Sequence, residues 1–123
     1  MSGKPFYVTT PIYYVNDKPH LGHAYTTVAT DAKARFHRLR GEAARMLTGT
    51  DEHGQKLEQA ALDAGKDTLA FATENSEKFR ALWKKLNIQC DDYIRTTEER
   101  HKRGVQEIWR RVSKAGDIYK DEY

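Results

Sequence analysis

One cysteine, three prolines and no long apolar run are spread over the 123 residues of this chain. A single thiol, Cys90, excludes an intramolecular disulfide and a cysteine-built zinc site within these residues. No cationic helix start surrounds it, so it reads as a buried or half-buried thiol rather than a nucleophile. No segment approaches the roughly 18 apolar residues that span a bilayer, and no membrane partner is expected. Met1-Ser2-Gly3-Lys4 lacks the apolar stretch of a secretory signal, which points to a cytoplasmic protein. An excess of one charge is missing too: 21 Lys and Arg face 18 Asp and Glu, for a net charge of +3. The cations lie among acids, so Arg35, Arg38 and Arg40, and later Arg100, Lys102, Arg103, Arg110 and Arg111, read first as solvated helix faces. No repeat, low-complexity tract or linker divides the chain, which has the size of one domain.

What is present alternates between two periods. A β-branched and aromatic run predicts a strand over 5–10, and a run without proline or glycine predicts a helix over 25–39 closed by Gly41. A second strand is expected over 44–50, and a helix over 55–64 ended by Gly65. Over 68–86, Leu69, Ala72, Phe79, Leu82, Trp83 and Leu86 fall on one helical face and read as core. Residues 92–95 form a short third strand. Thr96 then offers an N-cap, with Glu99 three residues on, for a helix presenting Val105, Ile108, Trp109 and Val112. Strands alternating with helices imply an α/β fold with a parallel sheet and flanking helices. Ligands in such sheets bind beyond the carboxyl ends of the strands. The loops 11–20 and 49–54 both follow strands, and are expected to converge on one pocket.

The most informative stretch runs from Thr10 to His23. It places His20-Leu21-Gly22-His23 where an extended segment becomes a helix. Backbone N–H groups at a helix start favour an anion, and two imidazoles could add side-chain donors to phosphate oxygens, most strongly if protonated. Gly22 lacks a Cβ, so a flat base or sugar could approach the backbone there. A pair of surface histidines, or half of a metal site, fits the same spacing. No second cluster of Cys or His at ligand spacing supports the metal, so no metal ligand is assigned.

His20-Leu21-Gly22-His23 resembles the His-Ile-Gly-His signature of class I aminoacyl-tRNA synthetases. Two further blocks, Thr9 to Asn16 and Leu47 to Lys56, resemble the methionyl-tRNA synthetases in particular, as does the segment from Tyr93 to His101. The resemblance runs from about Phe6 to Tyr123. It implies the first, amino-terminal half of a Rossmann-like catalytic domain over 1–123, ending near the family's connective insertion. It further implies ATP-dependent activation of methionine to methionyl-adenylate and transfer to tRNA(Met), with Mg²⁺ accompanying ATP. By the same resemblance His20 and His23 are catalytic phosphate-side donors, and Gly22 joins them in binding ATP. Pro11, Ile12 and Tyr14 wall the methionine side chain, and Asp51 meets its ammonium group. Asn16, Glu52 and His53 are secondary candidates. Tyr14 reads equally well as core, and Asp51 as a loop-capping acid. The family's zinc-binding insertion, its lysine-rich loop and its anticodon-binding helices have no counterpart in these residues. A half-domain of this kind would turn over poorly alone, or only bind ATP or methionine, and its open sheet edge invites pairing with the missing half.

Overall fold

The structure is a computed structural model and describes residues 4–122. Met1, Ser2, Gly3 and Tyr123, which carry part of the leader reading and the end of the 1–123 span, lie outside the described residues. Four strands and four helices follow one another as β1 (Phe6–Thr9), β2 (Tyr13–Tyr14), α1 (Leu21–Leu39), β3 (Ala44–Asp51), α2 (Gln55–Asp63), α3 (Thr68–Lys85), β4 (Asp92–Arg95) and α4 (Glu99–Ala115). This is the α/β order expected, with one strand more.

β3 is the central strand, and all its pairings are parallel. β4 lies along one edge, with Leu47 opposite Asp92 and Thr50 opposite Arg95. β1 and β2 share the other edge in succession: Thr9 stands opposite Leu47, and Tyr13 opposite Thr50. Four steps along one chain thus match three along the other. The extra residue forms a bulge at the segment containing Pro11, which has no N–H to give to a ladder. The sequence reading missed this break and the strand after it.

β3 allows no side chain at its centre. A Cβ on Gly49 would stand 2.0 Å from the Ile94 carbonyl oxygen of β4. Thr48 and Thr50 beside it are fully buried, and their hydroxyls are satisfied. Thr48 shares a 2.7 Å hydrogen bond with Thr10. Thr50 donates to Glu52 Oε1 at 2.7 Å, so Ser76 must donate to Thr50 and Tyr93 to Ser76. One hydroxyl chain therefore joins α3, β3 and β4.

The apolar core on the α3 side gathers Tyr13, Val15, Leu57, Ala72, Phe79, Trp83 and Tyr93. Of the stripe expected on α3, Ala72, Phe79 and Trp83 are buried and Leu82 is packed against them. Leu69 and Leu86 are exposed, because they lie near the two ends of the helix, beyond the sheet. Arg35 and Arg38 on α1 are tied across to the loop before β4, Arg35 to the Asn87 carbonyl and Arg38 to Asp91 at 2.7 Å. The other cations named above that form ion pairs also meet acids at the surface, as the solvated reading expects.

α4 departs from expectation. Thr96 does not cap it, because its hydroxyl accepts the Glu52 N–H at 2.8 Å. Glu98 takes the N-cap position without a side-chain cap bond. Arg100 anchors the first turn to Asp92 and to the Tyr93 carbonyl. No residue of α4 is buried, and Trp109 is 62% exposed.

Candidate functional site

α1 begins at Leu21, four residues earlier than its apolar pattern suggests, so Gly22 and His23 belong to its first turn. The reason is an unusual cap. His20 is the N-cap residue, with extended backbone, and its Nδ1 accepts the Gly22 N–H at 3.1 Å. His23 reaches back, and its Nδ1 accepts the His20 N–H at 3.0 Å. Each imidazole fills the role that Ser and Glu play in an ordinary capping box. The helix-start N–H of Gly22 is therefore occupied by His20 rather than left unpaired for a ligand. Gly22 makes this possible: a Cβ there would press against the His20 ring at 3.0 Å.

The cap fixes the chemistry of both rings. A neutral imidazole that accepts at Nδ1 carries its proton on Nε2, which leaves Nε2–H as the donor. The ring centroids are 3.8 Å apart, and burial together with the neighbouring His20 holds His23 below the ordinary imidazole pKa. Protonation would place a second N–H against a backbone N–H and dissolve the cap. The lowered pKa of His23 favours its neutral form, the one whose Nδ1 can accept in this cap.

At the carboxyl ends of the strands, Tyr14 stands opposite Asp51 in register. Asp51 is still part of β3, so the loop expected over 49–54 is shorter, comprising only Glu52 to Gly54. Asp51 is half-buried, and among the described residues its carboxylate has no hydrogen bond or ion pair. Glu52 has the opposite environment. Its side chain is fully buried and accepts from Thr50, from Arg95 Nε at 2.7 Å and from Thr97 at 2.5 Å. Burial by itself would raise its pKa, but these hydrogen bonds outweigh it and hold the carboxyl below the usual range. Glu52 is thus a structural acid and is removed from the candidate ligands.

The loops after β2 and β3 do converge. Tyr14, Val15 and Asn16 face residues 53–57 across a cavity of about 350 Å³. His53 lines it, and its Nε2 lies 3.3 Å from the Thr96 carbonyl. Of the residues singled out for methionine, Tyr14 lines this cavity, whereas Pro11 and Ile12 are exposed on the bulge and Asp51 borders Tyr14 from the next strand. His20, Gly22 and His23 are not part of the cavity lining; Gly22 opens instead on an apolar cleft with Leu21, Tyr25, Val28 and Leu86.

The sequence reading passed over Tyr13. It is 7% exposed, with its ring edge-on to His23 at 4.8 Å and stacked on Phe79 at 5.8 Å. The alternation of a strand, Tyr13 inward and Tyr14 outward, was the available signal. Among the described residues no three of His, Cys, Asp and Glu come together as a metal centre. No described helix is long and apolar enough to cross a membrane.

With this geometry in place, comparison with known families gives a match over almost the whole chain. Residues 6–123 fit the model of the class I tRNA synthetases of the M type. The chain belongs to that family. Methionine–tRNA ligase of Rickettsia bellii is 54% identical over 118 residues, which cover 96% of this chain and 23% of that protein. The ligase of Halalkalibacterium halodurans is 57% identical over 120 residues, 98% of this chain and 18% of that one. The solved structure of Mycobacterium tuberculosis methionyl-tRNA synthetase in complex with methionyl-adenylate superposes with a TM-score of 0.94 at 55% identity. The superposition covers 98% of this chain and 24% of that one. The chain thus spans about a fifth to a quarter of the length of the relatives it matches.

Proposed function

We propose that this chain is the amino-terminal half of the nucleotide-binding catalytic domain of a methionine–tRNA ligase working in the cytoplasm. In the complete protein, methionine's carboxylate attacks the α-phosphorus of ATP, giving methionyl-adenylate and pyrophosphate. The adenylate then esterifies the terminal adenosine of tRNA(Met). The observation that carries this reading is the reciprocal histidine cap, which aims two Nε2–H donors from the start of α1, in a chain that superposes on a relative holding methionyl-adenylate.

In-line substitution at phosphorus needs placement and stabilisation of charge on phosphate oxygens, and no protein nucleophile. His20 and His23 supply the donors, and Gly22 leaves room for the His20 ring and for close approach of the nucleotide. Asp51 is the carboxylate for methionine's ammonium group, beside Tyr14, with Pro11 and Ile12 on the adjoining bulge. The described residues offer no cluster to hold Mg²⁺. No step is assigned to the ion, which would be carried by the phosphates of ATP.

A second reading covers the 123-residue chain by itself: it holds ATP or methionine, or docks on the remaining half, without turnover. The specific observation in its favour is that neither the outer edge of β4 nor that of β1 and β2 is paired among the described residues. Methionine-dependent ATP–pyrophosphate exchange separates the two, measured on the purified chain beside His20→Ala/His23→Ala. Exchange that requires methionine and vanishes in the variant supports activation by this half. A folded chain with no exchange, which regains it only when the rest of the protein is supplied, supports the second reading.

A further inference from the structure

We infer that Tyr13 is a positioning residue for His23, holding its imidazole and its main chain so that Nε2–H faces the phosphate site. The inference rests on the reading of His23 as a phosphate-side donor. Its basis is a clamp that acts on His23 at two places.

The first is the ring. His23 is bounded by His20 at 3.8 Å, by the edge of Tyr13 at 4.8 Å and by Phe79 at 5.1 Å. Tyr13 itself is stacked on Phe79 and tilted against Trp83, so it cannot move without opening the core. With those two aromatic walls in place, the remaining freedom of the imidazole is taken by the His20 N–H, which bonds Nδ1 at 3.0 Å.

The second is the helix backbone. Thr27 is completely buried, and its hydroxyl donates to the His23 carbonyl at 2.9 Å. That hydroxyl has one proton, already committed. The 2.9 Å bond between Tyr13 and Thr27 must therefore be donated by the phenol. Tyr13 O–H, Thr27 O–H and the His23 carbonyl form one directed chain, from β2 to the first turn of α1. A tyrosine chosen only to fill space would have no need of it.

Among the aromatic and titratable groups that meet the His23 ring, His20 is on the same helix start and Tyr13 comes from β2; Phe79, from α3, does not titrate. Replacing Tyr13 therefore alters the solvation of His23 without adding or removing a charge near neutrality.

The test is ¹⁵N-resolved imidazole NMR of the full chain, followed through a pH titration. In the unmodified chain His20 and His23 should both appear as Nε2–H tautomers at neutral pH. Tyr13→Leu should let water reach His23, raise its titration midpoint toward the ordinary imidazole value and mix its tautomers. Tyr13→Phe keeps the ring and removes the hydroxyl, and should leave the midpoint nearly in place while loosening the tautomer preference. Met46→Ala serves as a control for general destabilisation, since Met46 is buried in β3 and is not among the aromatic and hydrogen-bonding groups that meet His23; the His23 signal should not move. An Nδ1–H tautomer in the unmodified chain, or a His23 titration unchanged by Tyr13→Leu in a folded chain, would overturn the inference. These outcomes are read without any catalytic assay. Failure of methionine-dependent exchange even in the completed protein, with the NMR result intact, would instead count against the proposed function.

Discussion

Asp51 and Glu52 are neighbours in sequence with opposite environments. Glu52 is consumed by three donors in a buried ion pair with Arg95, while the half-buried Asp51 has no such partner among the described residues. An acid without a partner at the carboxyl end of a central strand can meet a ligand's cation. Charge-assisted hydrogen bonds contribute about 1.5–3 kcal/mol, so Asp51→Asn in the complete enzyme should lower kcat/KM for methionine by about 10- to 100-fold. Steady-state exchange kinetics with varied methionine check this, and unchanged kinetics would remove Asp51 from the site. Arg95→Leu acts on stability instead. It leaves the Glu52 charge buried without its cation, and should destabilise the fold by about 3–5 kcal/mol in denaturant unfolding. Gly49→Ala belongs to the same scale. Its Cβ would meet the Ile94 carbonyl at 2.0 Å, so β3 and β4 must separate, at the upper end of the roughly 1–3 kcal/mol typical of overpacking.

At the scale of elements, the two tryptophans divide the helices into one that is packed and one that is not. Trp83 on α3 is 3% exposed within the aromatic cluster, whereas Trp109 on α4 is 62% exposed. Trp83→Ala should cost about 3–5 kcal/mol, and Trp109→Ser should change stability by no more than about 0.5 kcal/mol. Acrylamide should quench the fluorescence of Trp109 and leave that of Trp83 largely protected; equal quenching would contradict the packing. The sequence pattern foretold both apolar stripes, because periodicity reports which face is apolar. It cannot report whether another element covers that face. α2 was legible from its stop at Gly65 and α3 from its apolar stripe, with the short run 92–95 left between helices as β4. The start of α1 was not, since imidazoles are uncommon caps and the periodic pattern begins only after them. Thr96 misled for a related reason: its hydroxyl had a second possible partner, the Glu52 N–H, that only the parallel pairing of β3 and β4 brings close. The bulge at Pro11 was hidden because a two-residue strand carries too little pattern to register. Of the site, the histidine signature and Asp51 stood out by resemblance, while Tyr13 was hidden behind its exposed neighbour.

For the whole molecule, the direction of every resolved acid and histidine shift predicts the same response to pH. Glu52, held below the carboxylate range despite burial, contributes stability that is complete above its unfolded value and is lost as pH falls through its folded one. Glu74, brought to about 2 by Lys66 and Lys78, and Asp92, lowered by Arg100, follow the same sign, although their exposure to solvent makes each contribution small. His23 adds to them from higher pH. Its folded pKa is below its unfolded one, so the unfolded chain takes up the proton first, and stability declines as pH falls below the ordinary imidazole value. The fold should therefore be most stable near neutrality, weaken gently as His23's unfolded form protonates, and weaken steeply once the carboxylates do. Urea midpoints measured from neutral pH down to the acid limb check this. Arg95→Leu should flatten the steep part, because Glu52 then loses the donor that depresses it, while Tyr13→Leu should flatten the gentle part. A midpoint that rose on acidification would mean that these groups are not held as the structure shows. The same profile bears on function: folded His23 stays neutral until pH falls through its lowered pKa, so in the complete protein exchange activity should persist across the gentle limb and decline only below it, and a loss at the ordinary imidazole value would contradict the lowered pKa.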